Sequence, residues 1–313
     1  MATLAKPGSS SCLSFLKDAL LLPSLNPKLF VPVFFLVSIP AFLVQVTNVL
    51  AIQPLTVNIL ELVNKLKNMD PSTAEYAKLM QEIMRDAREV IIIAIILCIA
   101  VFIISFAKQV VALFAASTTY SGDRYSLPEL ISKVIMKGRR IRGPLITIAL
   151  VSVLELACMF LLAALLQLVI RQRGPFAMAA VLFAFLFIAF LYLNVVFMVA
   201  VAVSVADTER RGVTALGQAW RLMTQVWRKE GCVLVLVIEL LSMVPSPLYM
   251  IALGYAKKSR AMGLTLLSVY ALLSGVVQLF YFAAAMVYYY KATESEAAIA
   301  QDYVKIPTGE ANA

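Results

Sequence analysis

Two carboxylates and an ammonium stand where hydrocarbon is expected. Glu239 lies in VLVLVIELLSMV (233–244), Glu155 in VSVLELA (151–157) and Lys108 in IISFAKQVV (103–111). A charge inside a bilayer costs several kcal/mol, so such groups face other helices and take partners there. Counted at 1.5 Å per residue from the ends of their apolar runs, all three fall about 12–17 Å from the same membrane edge. The expected arrangement pairs Lys108 with one glutamate. The other is then protonated or hydrogen-bonded to a polar neighbour, for which Asn194, Gln167 and Gln278 are candidates. Two readings stay open: charges that fix helix packing, or a proton- or ion-coupled pathway.

Little else in the chain points to chemistry. It contains no histidine, the commonest general base and metal ligand. GxSxG, HExxH and Walker motifs are missing, as is any acidic cluster fit for a metal, so no enzyme, no metal and no cofactor is expected. Cys12, Cys98, Cys158 and Cys232 form no CxxC, which argues against a zinc site or a disulfide framework.

Composition says where such residues must sit. Of 313 residues 62% are hydrophobic and 14% charged, against about 25% charged in a typical soluble domain. No single soluble core can hide that much apolar surface. The net charge of +9 would suggest nucleic acid in a soluble chain. Here Lys and Arg fall between apolar runs, where topology and anionic headgroups account for them, so no nucleic acid is expected.

Six apolar runs reach the roughly 20 residues a helix needs to cross a bilayer: 29–52, 90–116, 144–170, 176–206, 231–256 and 262–289. The expected fold class is all-α, a six-span integral membrane helical bundle. The first run is expected to act as signal-anchor, since Lys17, Asp18 and Pro23 break the apolar patch before it.

Between the runs lie basic amphipathic segments. In SLPELISKVIMKGRRIR (126–142), Leu127, Leu130, Ile131, Val134 and Ile135 form one helical stripe, and Ser126 with Glu129 reads as a capping box. Lys133, Lys137, Arg139, Arg140 and Arg142 crowd the other face or the helix end. In VTALGQAWRLMTQVWRK (213–229) the stripe is Val213, Leu216, Trp220, Met223 and Trp227, flanked by Arg221, Arg228 and Lys229. Such helices lie in the membrane interface, so these basic residues with Trp220 and Trp227 are the expected lipid-headgroup contacts. Setting Leu16 against Leu216 aligns Ala19 with Ala219, Leu22 with Leu222 and Lys28 with Arg228, which suggests a third such helix near the N-terminus.

The chain then parses as a single membrane domain, 1–291, of three units (14–118, 126–207 and 212–291), each an interfacial helix followed by a two-span hairpin. A polar cytosolic tail, 292–313, is expected to be disordered. Lys and Arg number three before the first span, six in 119–143, five in 207–230 and two after 290; the opposite loops hold five, two and three. That excess expects both termini in the cytosol. On the far side, 53–89 reads as a small helical lid or spacer, not a separate domain, whose second helix takes Asp70 as cap and Pro71 in its first turn and runs into the second span. VPSPLYM (244–250) predicts a kink, and Tyr288–Tyr290 an aromatic belt at the interface.

The segments ALGQAWRLMTQVWRKEG (215–231) and AAAMVYYYK (283–291) resemble plant multi-pass transmembrane proteins of unknown function. Those are distantly similar to the membrane domain of bacterial glycerophosphodiester phosphodiesterases. The resemblance covers about 10–291 and implies six spans in an endomembrane (ER) or plasma membrane. It carries no catalytic residues, and the phosphodiesterase domain has no counterpart here. The function expected is that of a non-enzymatic membrane protein organising anionic lipids or partner proteins, self-association included, through its basic helices. The alternatives are a small transporter or channel using the Glu/Lys site, and an induced protein that perturbs the bilayer and triggers a stress or defence response.

Overall fold

The computed structural model describes residues 13–304 except 68, 137–138, 172–175 and 257–258. Every regular element among them is helical: α1 (Ser14–Leu25), α2 (Pro27–Thr47), α3 (Gln53–Leu66), α4 (Ala74–Tyr120), α5 (Leu127–Met136), α6 (Arg139–Arg171), α7 (Phe176–Ala206), α8 (Val213–Arg221), α9 (Arg228–Met243), α10 (Ser246–Ala256) and α11 (Arg260–Val304). A π-helical turn, Asn48–Ile52, joins α2 to α3, and another, Leu222–Val226, extends α8. Six helical stretches are long and apolar enough to cross a membrane: Pro27–Leu66, Ala74–Tyr120, Ile141–Ile170, Ala180–Ala206, Arg228–Ala256 and Arg260–Ala298.

The described residues divide into two compact units. The first draws on Met1–Val33, Gln109–Leu241 and Gln278–Ala313, the second on Phe34–Lys108 and Ser242–Val277.

The first unit is built on segments with no polar face. Val195–Val203 of α7 and Phe282–Tyr289 of α11 are buried on all sides, as is most of Val110–Ala116 of α4. A helix that is apolar all round belongs inside. Ala112, Ala115, Ala200, Ala202 and Ala283–Ala285 keep these segments thin enough for close approach. α7 packs along α6 on one side and α8 on another. Gly212 turns the chain into α8 with φ +55°, and its N–H donates to the buried Thr147 hydroxyl of α6 at 2.8 Å. A side chain there would be strained and would press on Ile146 at 3.3 Å.

In the second unit, Asn58 of α3 donates to the buried carboxylate of Asp86 on α4 at 2.7 Å. The connection between them differs from the expected cap. Thr73, not Asp70, caps α4, its hydroxyl accepting from the Tyr76 N–H. Asp70 instead closes a local turn, accepting from the N–H and hydroxyl of Ser72; these bonds favour the ionised form and hold its carboxyl below the usual carboxylate range. The second helix of 53–89 runs into the second apolar run as expected: α4 is unbroken for 47 residues, about 70 Å at 1.5 Å per residue, while α3 prolongs α2 through the π turn. Asn48, opening that π turn, donates to the Tyr249 hydroxyl at 3.3 Å, and Val49, Ala252 and Leu267 form the local core. α2 and α11 meet where Ser38, its hydroxyl buried without a partner, lies against Gly275. The expected kink at 244–250 is a break: α9 stops at Met243 and α10 starts at Ser246.

The tail differs most from expectation. α11 continues to Val304, so 292–304 of the expected tail is helical, and 305–313 lies outside the described residues. Ala292 is fully buried, Lys291 pairs with Asp18, and Glu296 pairs with Arg221. With Tyr288, these residues lie at i, i+3, i+4 and i+8 on one stripe that docks on α1 and α8.

Candidate functional site

Glu155 on α6 and Glu239 on α9 are both half-buried, and both lie within electrostatic reach of the Tyr281 hydroxyl on α11. That hydroxyl donates to the Asn194 carbonyl of α7 at 3.2 Å. Tyr281 thus ties α11 to α7 and lies within electrostatic reach of one carboxylate on α6 and one on α9. Tyr281, which the sequence reading missed, is the group the two glutamates share. Lys108, half-buried on α4, belongs to the second unit, and Gln167 is exposed. Gln109, beside Lys108, donates to the Met198 sulfur at 3.5 Å within the first unit.

The second constellation is the set of short helices α1, α5 and α8, all in the first unit. α1 and α8 bury equivalent faces. Phe15, Ala19 and Leu22 of α1 are buried, and so are Ala215, Ala219 and Leu222 of α8. The chain breaks after α1 at Asn26 and after α8 at Trp227, both in non-helical backbone. The spacing differs by one residue, which is what a π-helical turn inserts.

An aromatic node locks these breaks. The Trp227 ring lies 5.6 Å from Phe15 of α1 and 5.4 Å from Tyr288 of α11. The Tyr288 hydroxyl lies 3.2 Å from the Leu222 carbonyl and 3.0 Å from that of Trp227, adding a second donor to carbonyls that already accept the Trp227 and Gly231 N–H groups. Gly231 makes room, since a Cβ there would sit 3.1 Å from the Tyr288 oxygen. Tyr290 stacks on Tyr120 at 4.7 Å and shares a 2.8 Å hydrogen bond with Ser117. The expected aromatic belt is therefore packed inside: Tyr288 is fully buried and Tyr289 nearly so.

The expected headgroup contacts divide accordingly. Trp220 is half-exposed, edge-on to Tyr192, whereas Trp227 is taken up by the node. Arg142, Arg228 and Lys229 are exposed. Arg221 pairs with Glu296, which also accepts from Gln218 at 3.0 Å. Lys133 sits 3.5 Å over the Tyr125 ring. Arg139 and Arg140 open α6, and Lys137 lies outside the described residues. Burial also corrects the stripe read for α8. Its inward face is Ala215, Gln218, Ala219, Leu222 and Met223, while Val213 is 72% exposed. Along α8 the small Ala215 and Ala219 face in, where α7 lies close, and Val213 and Trp220 face out; Leu222 and Met223 are buried in the π turn that follows. On α5, Leu130 is buried and Ile131 is exposed. Its capping box forms in part: the Ser126 N–H donates to Glu129 at 2.8 Å, and bonds from Ser126, with Lys133 nearby, hold the Glu129 carboxyl below the usual range.

Six helices among the described residues have the length and apolarity to cross a membrane. A family model described as a domain of unknown function (DUF8558) matches residues 11–297, and the chain belongs to that family. No curated protein and no solved structure matches it.

Proposed function

We propose that the chain is a multi-pass membrane protein that gathers anionic lipid headgroups along its short basic helices, without catalysis of its own. The observation that carries this reading is what α1 and α8 leave exposed. Leu13, which precedes α1, Leu20, Leu21 and Leu25 of α1, and Val213 and Trp220 of α8 point away from the packed unit, beside exposed Lys17, Lys28, Arg228 and Lys229. A helix with one face on protein, a second row of bulky apolar side chains and a basic flank suits the headgroup boundary. Ile91, Ile92, Ile95, Ile96, Ile99 and Ile103 of α4 are likewise exposed, an untenable surface in water and an ordinary one in lipid. In this reading both termini are cytosolic, as the distribution of Lys and Arg favours.

The test is lipid binding by the full-length protein in neutral detergent, titrated with short-chain phosphatidylserine and followed by native mass spectrometry. A basic residue near an anionic surface contributes about 1 kcal/mol, so R142Q/R228Q/K229Q is expected to weaken binding on the order of tenfold or more. Phosphatidylcholine should bind no better to wild type than to the variant. Unchanged phosphatidylserine binding would reject the reading.

A second reading, transport, is favoured by the convergence of Glu155 and Glu239 on Tyr281. It makes the opposite prediction about water. In a background free of native cysteines, Glu239→Cys is treated with a membrane-impermeant thiol reagent in sealed vesicles. The lipid-organising reading expects position 239 to label no faster than a cysteine at Leu240, an exposed neighbour on the same helix. Rapid labelling at 239 alone would replace that reading with a hydrated pathway.

A further inference from the structure

We propose that Glu296 is an internal competitor of lipid phosphate, so that the C-terminal extension of α11 holds the headgroup site of α8 partly closed. This inference rests on the lipid reading above and adds its regulation. Arg221 lies in the basic flank of α8, one residue from the half-exposed Trp220 and one turn before the π-helical break. Its guanidinium is engaged by Glu296, and the other Glu296 oxygen accepts from Gln218 at 3.0 Å. A carboxylate held by an arginine and an amide occupies the donors that a phosphodiester oxygen pair would use.

Geometry makes the contact releasable. The Arg221 and Glu296 side chains remain 47% and 27% exposed, so the pair is screened by water and weak enough to exchange. Upstream, the extension is anchored independently: Tyr288 is buried in the aromatic node, Ala292 is buried, and Lys291 pairs with Asp18 of α1. Loss of the Glu296 contact therefore frees Arg221 without undocking α11. Arg228 and Lys229, on the far side of the break, form no ion pair among those resolved in the first unit and remain exposed to headgroups throughout. The site thus has a constant part and a gated part.

The experiment is the same phosphatidylserine titration, with Trp220 fluorescence as a second readout. E296Q keeps the shape and removes the charge. It is expected to bind phosphatidylserine about threefold to fivefold more tightly than wild type, the change one partly exposed ion pair can supply. R221Q removes that gain, so E296Q/R221Q should match R221Q alone. Raising salt should narrow the difference between wild type and E296Q, since it screens the internal pair. Inorganic phosphate at matched concentration should produce no such difference; an equal response would overturn the assignment to a lipid. If E296Q binds as wild type does while R142Q/R228Q/K229Q binds weakly, the lipid reading stands and the competitor is rejected. If no variant differs from wild type, both fall. A gain in E296Q that persists in E296Q/R221Q would also overturn the proposal, because it would then be general charge and not the release of Arg221.

Discussion

Tyr288→Ala is expected to destabilise the protein by about 3–5 kcal/mol, the usual result of deleting a large buried side chain. Tyr288 is fully buried, and two aromatic neighbours, Phe15 and Trp227, lean on its ring. Those neighbours come from different short-helix segments, so the loss loosens α1 and the α8–α9 break together. Tyr288→Phe separates packing from hydrogen bonding. It keeps the ring and removes the hydroxyl near the Leu222 and Trp227 carbonyls. Leu222 retains the Trp227 N–H and Trp227 retains the Gly231 N–H, each at 2.9 Å, so neither carbonyl is left without a donor. Loss of the hydroxyl bond alone costs about 0.5–1.5 kcal/mol. Unfolding in mixed micelles by titrated SDS gives both values, and a red shift of tryptophan emission in Tyr288→Ala would report water reaching Trp227. A Tyr288→Ala protein within 1 kcal/mol of wild type would mean that the run Tyr288–Tyr290 is a lipid-facing belt after all.

The apolar runs were plainly legible in the sequence because hydrocarbon demands one thing of about 20 consecutive residues. Their ends were not. The first run reads as ending near Ile52, since polar residues follow, yet the helix passes through a π turn to Leu66. Nothing in QPLTVNILELVNKL stops a helix: Pro54 sits in a first-turn position and the apolar spacing continues. The tail was misread for a related reason. KATESEAAIAQDYV is polar, which suggests disorder, but it holds no glycine or proline, and the first strong stop is Pro307. Its Ala292 and Glu296 continue the stripe of Tyr288. What decides helix over disorder there is a docking partner, α1 and α8, and partners cannot be read from a segment alone.

The charged site shows the same limit. Glu155 and Glu239 are visible as anomalies in apolar helices, and depth counting put them at one level. Tyr281 was invisible, because a tyrosine in VVQLFYFAAA is ordinary until its hydroxyl is seen to meet the Asn194 carbonyl. The residues expected at headgroups divide for a similar cause. Amphipathic spacing gives the faces of a helix but not which face meets protein. On α8 the small residues Ala215 and Ala219 are the inward ones, and that choice sends Trp220 outward.

A matched pair of glycines offers the sharpest test of how closely the helices of the second unit approach. Gly263→Ala is expected to destabilise by about 3 kcal/mol, at the upper end of ordinary overpacking. A Cβ at 263 would lie 2.6 Å from both Cα and Cβ of Ala256 and 2.9 Å from its nitrogen. These are backbone atoms and the first side-chain carbon, so no rotamer change relieves the clash, and α10 must move away from α11. Gly254, two residues before Ala256 on α10, faces open space, and a Cβ there would meet nothing within 4 Å. Alanine in a helix exceeds glycine by roughly 0.5–1 kcal/mol, so Gly254→Ala is expected to be neutral or stabilising. The same substitution, nine residues apart in one helical hairpin, thus carries opposite signs. SDS titration of the two variants reads the difference directly. Equal effects would mean that α10 and α11 do not touch at Ala256 and Gly263, and that glycine at 263 serves the backbone alone. Opposite effects would fix the crossing point of the last two apolar segments to within one turn of helix.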